Sequence, residues 1–105
     1  MLELRTYSLA SDAARRQYTS QFWPRHIQSL GKYGITVHGV WADTAPDGHR
    51  VVALIGYRAG EDPQRLAEDY RNSPDYAADH TVFDTALITS VQTVTLEPIA
   101  DSPLQ

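Results

Sequence analysis

The residues best suited to acid and base chemistry cluster late in the chain, where Tyr76, His80, Phe83 and Leu87 follow one another at steps of four, three and four. That spacing predicts a single helix face carrying all four side chains. An imidazole on such a face must either be hydrogen-bonded or look into a pocket. Asp84, one turn after His80, would fix the tautomer and make the ring more basic, as a general base working near neutral pH requires. A histidine on an apolar stripe also serves as a satisfied core residue, and that alternative stands beside the catalytic one. His26, in line with Tyr18 and Phe22, is a second histidine of the same kind. At the other end of the chain, Glu3, Arg5 and Tyr7 share one face of an alternating segment. If helices cover that face, the Arg5 guanidinium needs a partner, either Glu3 in a structural pair or a ligand carboxylate or enolate gripped through two parallel hydrogen bonds. Tyr7 and Tyr57 offer hydroxyls to the same space or simply pack there, Tyr70 flanks His80, and Trp23 and Trp41 supply wall or interface area.

The elements that must position these groups are legible in the pattern. Leu2 to Ser8 alternates as a first strand, and Ser11 or Asp12 caps a helix with Ala14, Tyr18, Phe22 and His26 at steps of four. Pro24 predicts a kink or break near Phe22 to Pro24, because it lacks a backbone donor and clashes with the preceding turn. Gly31 and Gly34 end the helix. Ile35 to Ala42 and Arg50 to Arg58 read as strands joined across Asp43 to His49, and the unbroken apolar run Val51 to Ile55 calls for cover on both faces. Asp62 with Pro63 and Ser73 with Pro74 each open a helix, Ile88 to Glu97 alternates as a last strand, and Pro98 to Gln105 is a tail. The order is that of an α+β, ferredoxin-like βαββαβ plait, a four-stranded antiparallel sheet with helices on one face. Its bare face, apolar in the third strand, is most simply covered by a second copy, giving a homodimeric α/β barrel.

Composition removes whole classes of function. A chain of 105 residues holds one domain, residues 1–105. Nine basic residues against 13 acidic ones leave a charge of −4, and the basic residues are scattered, so a phosphate backbone would be repelled and nucleic acid is not an expected partner. The absence of cysteine excludes disulfides, thiolate nucleophiles and cysteine-based metal centres. Histidines at 26, 38, 49 and 80 lack the spacing of a zinc motif, and phosphate-binding glycine loops and the nucleophile elbow are absent, so neither metal nor cofactor is expected. No apolar run approaches the ~20 residues that span a bilayer, and nothing at the start resembles a secretory signal, so no membrane contact and a cytoplasmic location are expected.

The opening Glu3-x-Arg5-x-Tyr7-x-Leu9, Gly39-Val40-Trp41 in the second strand, Tyr57 closing the third and the Asn72 to Tyr76 segment together resemble the NIPSNAP family over about residues 2 to 84. The resemblance implies the dimeric α/β barrel superfamily, whose other branches include cofactor-free monooxygenases, polyketide cyclases, muconolactone isomerase-like enzymes and haem proteins, with the ligand held between sheet and helices. It implies Tyr76 or His80 as acid and base on a carbonyl compound, and some barrel relatives place a haem on a histidine. Tyr76 stands where the family often has tryptophan, which changes the size and polarity of any pocket there. The expected site is therefore small and mostly apolar, with His80, Arg5 and Tyr76 catalytic and Tyr7, Trp23, His26, Trp41, Tyr57, Tyr70 and Phe83 lining a small-molecule ligand. Two functions remain open: cofactor-free acid/base or monooxygenase/cyclase-type chemistry on a small aromatic or polyketide-like metabolite, or a non-catalytic module that binds a metabolite or a protein.

Overall fold

Alternation in the first strand, β1 (Leu2–Leu9), translates directly into two sheet faces in the computed structural model, which describes residues 1–105. β1 lies between β3 (Arg50–Tyr57) and the edge strand β4 (Ile88–Leu96), and β2 (Ile35–Asp43) flanks β3, giving the antiparallel order β2-β3-β1-β4. Register sets Glu3 against Ile55, Arg5 against Ala53 and Tyr7 against Val51 on the helix-covered face. Val51, Ala53 and Ile55 are there fully buried, so three of the five residues in the continuous apolar run of β3 form the floor of the core. The other two, Val52 and Leu54, pair with Thr6 and Leu4 on the face without helices and are only half-buried. This is the ferredoxin-like plait that the element order predicts.

The first helical stretch departs from expectation in an informative way. Ser11 caps α1 (Asp12–Gln17) by accepting from the Ala14 N–H at 3.0 Å, and α2 (Trp23–Gly31) carries the chain to the second strand. Between them, Tyr18–Phe22 forms a π-helical turn, with the Trp23 N–H bonded to the Tyr18 carbonyl. Pro24 falls in the first turn of α2, where a missing N–H costs little. The break expected at the proline is thus taken up as one wide turn upstream, and helical geometry is continuous. Leu30 N-terminal to the end, Lys32 at the cap and Gly34 at φ +77° reverse the chain into β2, a backbone conformation that suits glycine.

The second correction concerns the late helix. α3 (Pro63–Arg71) and α4 (Pro74–Asp79) begin where Asp62 and Ser73 cap them, but α4 stops at Asp79 with His80 as its C-cap. Phe83 and Leu87 therefore do not share a helix face with His80. Asp84 instead accepts from the Ala86 N–H at 3.0 Å and starts a 3₁₀ turn at Thr85–Leu87. β-branched Thr81 and Val82 and the self-capping Asp84 compete with helix at this point, and tertiary packing still buries Phe83.

On the helix-free face a register shift between Val37 and Gly39 leaves His38 unpaired, and Trp41 lies flat over Gly39, where a Cβ would sit 2.4 Å from the indole. Trp41, Val94 and Leu96 are exposed on this face beside half-buried Leu4, Val52 and Leu54. The tail leaves Ile99 and Leu104 in solvent. No helix is long and apolar enough to cross a membrane.

Candidate functional site

Between β1 and the helices lies a cavity of about 220 Å³. Its apolar wall comes from Tyr7, Tyr18, Phe22, Leu30 and Ile35, and its polar points are Arg5, His26, Tyr70, Tyr76, His80 and Arg71. Six of the ten sequence-predicted site residues thus meet there: Arg5, Tyr7, His26, Tyr70, Tyr76 and His80. The other four do not. Trp23 is sealed in the core against Tyr7 and Tyr18, its indole N–H without a partner; Phe83 packs against Tyr18 at 4.8 Å between centroids. Trp41 lies on the opposite sheet face, and Tyr57 borders a separate hollow that shares only Arg5 and Ala67 with the cavity.

The Arg5 guanidinium is held from one side. Its Nε and Nη2 donate to Glu3 Oε1 at 3.0 and 2.8 Å, and Nη2 also donates to the Tyr57 hydroxyl at 2.7 Å. Tyr57 in turn donates to Glu3 Oε1 at 2.7 Å, closing a triangle. Burial first, and then the Glu3 carboxylate, push the Tyr57 hydroxyl up to about 12, so it remains a donor. The structural pair with Glu3 is formed, and Nη1 is left without a hydrogen bond.

Above the cavity, a fully buried carboxylate organises the helices. Asp79, at the end of α4, accepts from Arg25 Nε at 3.1 Å and Ser29 Oγ at 2.9 Å on Oδ1, and from the Tyr70 hydroxyl at 2.6 Å on Oδ2. His26 Nδ1 lies 2.9 Å from the same hydroxyl and 3.5 Å from Oδ2. Burial pushes the His26 imidazole down to about 4, outweighing the pull of Asp79 in the other direction, so the ring is neutral at pH 7. Burial and the bond to Asp79 likewise hold the Tyr70 proton in place. The carboxylate-backed histidine expected at position 80 is in fact at position 26.

His80 has a different support. Its Nδ1 lies 2.8 Å from the Tyr76 carbonyl, its ring stacks on Tyr76 at 4.0 Å, and Asp84 is turned to backbone. The Phe22 ring stands next to both imidazoles, with centroids 4.7 Å from His26 and 5.4 Å from His80. Sequence reasoning missed Asp79, Arg25, Ser29 and Arg71. A lone aspartate after two alanines carries no signal, although Arg25 and Ser29, one turn apart and flanking His26 on the same helix, hinted that something polar is buried opposite. No group of three or more acidic or histidine side chains is placed to hold a metal ion.

The NIPSNAP sequence model matches residues 2–103. No curated protein matches the sequence. Among solved structures, a NIPSNAP family protein of unknown function from Agrobacterium tumefaciens is similar with a TM-score of 0.82 at 17% identity, over 99% of this chain and 92% of that one. An uncharacterized NIPSNAP-like domain protein from Burkholderia xenovorans gives 0.80 at 24% identity, over 97% and 87%. A candidate antibiotic biosynthesis monooxygenase from Nitrosomonas europaea gives 0.60 at 15% identity, over 90% and 94%. At these identities the likeness is one of fold.

Proposed function

Because the chain belongs to the NIPSNAP family, with its fold and its cavity between sheet and helices, we propose that it acts as a homodimer on a small aromatic or polyketide-like metabolite by cofactor-free acid/base chemistry of monooxygenase or cyclase type. The observation that carries this reading is the cavity itself: an aromatic enclosure in which two imidazoles, a tyrosine hydroxyl and an arginine are each held by another protein group. Preorganised polar groups in an apolar, partly water-excluded space stabilise developing charge without reorganising. In this scheme His26 or His80 takes a proton and Arg5 faces the oxyanion that results. A volume of about 220 Å³ suits a one- or two-ring compound rather than a larger ligand. Native mass spectrometry of the gently purified protein gives subunit count and any retained ligand. With that ligand as substrate, His80→Ala and Arg5→Ala should each lower turnover about a hundredfold while the dimer persists. Unchanged turnover in both variants would refute the catalytic assignment.

A second reading, a metabolite-binding or protein-interaction module without turnover, is favoured by one observation: His80 is backed by a backbone carbonyl instead of a carboxylate, which orients the ring without a charged partner. Retention of a ligand without any conversion would select it.

The proposed dimer rests on the helix-free face, where Trp41, Val94 and Leu96 expose apolar surface next to Leu4, Val52 and Leu54. A contiguous apolar sheet face of this kind is covered in stable proteins, and a two-fold pairing of identical faces covers both at once. Trp41→Asp combined with Val94→Asp should give a monomer by analytical ultracentrifugation. A dimer that survives both charges would place the interface elsewhere.

A further inference from the structure

Counting protons along the buried chain of hydrogen bonds decides what the cavity offers to a ligand. Asp79, paired with the Arg25 guanidinium, is the terminal acceptor, so the single proton of Tyr70 points to Oδ2 at 2.6 Å. The Tyr70 oxygen, 2.9 Å from His26 Nδ1, is then left as an acceptor, and the proton in that bond belongs to Nδ1. His80 reaches the same state by a simpler route, because the Tyr76 carbonyl at 2.8 Å can only accept, and Nδ1 must donate. In its neutral form each ring therefore carries its proton on Nδ1, turned into the protein, and presents an unprotonated Nε2. Neither Nε2 has a hydrogen bond within the chain, neither is sealed from solvent, and both residues line the cavity.

We propose that the cavity selects hydroxylated aromatic compounds, phenols and hydroquinones, whose hydroxyls donate to Nε2 of His26 and His80, with Asp79 acting through Tyr70 as the residue that sets the His26 tautomer. A carboxylate oxygen would meet two lone pairs at these points; a hydroxyl meets two acceptors. The flat aromatic wall of Tyr18 and Phe22 takes the ring. If the hydroxyl ionises, its proton passes to His26 Nε2, yielding an imidazolium whose Nδ1–H stays on Tyr70 and an oxyanion in the cavity that Arg5 lines. Only the O–H bond breaks, one N–H bond forms, and no electron is transferred. The low proton affinity of the empty buried ring keeps Nε2 unprotonated and free to accept a hydrogen bond, and proton transfer draws on the oxyanion beside it, which raises that affinity. This inference rests on the small-molecule reading above and specifies its ligand.

The test needs no turnover. In ¹⁵N-histidine-labelled protein, long-range ¹H–¹⁵N spectra recorded where the rings are neutral should show His26 and His80 both as Nδ1–H tautomers, and Asp79→Asn should shift His26 away from that single form. Hydroquinone should bind about tenfold or more tighter than 1,4-dimethoxybenzene and perturb both Nε2 resonances, since each hydroxyl bond gained is worth ~1 kcal/mol. His26→Asn, which keeps a short polar group toward Tyr70 and removes Nε2, should erase most of that preference. An Nε2–H tautomer at either ring, equal binding of the ether, tighter binding of benzoate, or no binding of any of the three probes would overturn the proposal. Because conversion is not read, absence of any reaction would sink the catalytic reading and leave the hydroxyl preference intact.

Discussion

Asp79→Ala should lower the stability of the fold by about 3 kcal/mol, seen as a shift in the denaturant midpoint at constant slope. The carboxylate is 0% exposed and is the common acceptor for Ser29, Tyr70 and Arg25. Its removal leaves the buried Ser29 hydroxyl without this acceptor and the Tyr70 hydroxyl with only His26 Nδ1 to turn to, after a change of tautomer, at ~1–3 kcal/mol each. The Arg25 side chain is 53% exposed, so its charge returns to water and adds little to the loss. Breaking a wholly buried ion pair would cost more, at ~3–5 kcal/mol, because a charge would be stranded. Asp79→Asn keeps an acceptor for one of the hydroxyls and should fall between the two. A loss below about 1 kcal/mol for the alanine variant would show that the network does not hold α2, α3 and α4 together.

The second large effect is on pH dependence. His26 binds its proton with a folded-state value of about 4 against an ordinary 6.5, so between these limits the unfolded chain carries more protons than the folded one. Stability then rises with pH across that window: it is fully present above pH 6.5 and is lost as pH falls toward 4, by about 3 kcal/mol in all. Asp79, Tyr70, His80 and Arg5 are the titratable or charged groups facing the ring, and of these Asp79 alone pulls its proton affinity upward by charge. Asp43 and Asp75, held below the usual carboxylate range by the Ala45 N–H with Arg50 and by Tyr33 with Lys32 respectively, add slope of the same sign at lower pH, outside this window. His26→Phe keeps the Tyr70 to Asp79 bond and removes the titration, so its stability should be nearly flat from pH 6.5 to 4.5. A wild-type profile as flat as the variant's would contradict a neutral, buried His26.

The two effects are linked by geometry. The same burial that keeps His26 neutral makes Asp79 hard to lose, and both follow from α2 laying Arg25, His26 and Ser29 against the end of α4. The π-helical turn at Tyr18–Phe22 lies just before these residues, so it sets the rotation with which they meet Asp79.

Local signals along the chain were enough for the strands, their order and the helix starts: period-two alternation in β1, the Asp62-Pro63 and Ser73-Pro74 caps, and the unbroken Val51 to Ile55 run each state their own structure within a few residues. Inward parity and helix periodicity also named Arg5, Tyr7, His26, Tyr70, Tyr76 and His80, which line the cavity, but the same signals named Trp23, Trp41, Tyr57 and Phe83, which do not. What a period cannot report is distance between elements. Whether Arg5 meets Glu3, whether His80 meets Asp84 or its own helix carbonyl, and which histidine lies by a buried carboxylate depend on how α2, α3 and α4 pack together. Asp79 is 50 residues or more from Ser29 and Arg25 in sequence and within 3.1 Å of both in space. The sequence determines faces because side-chain direction is a local property of the backbone, and tertiary structure decides partners because hydrogen bonds act only over a few ångströms between segments that the chain brings together last.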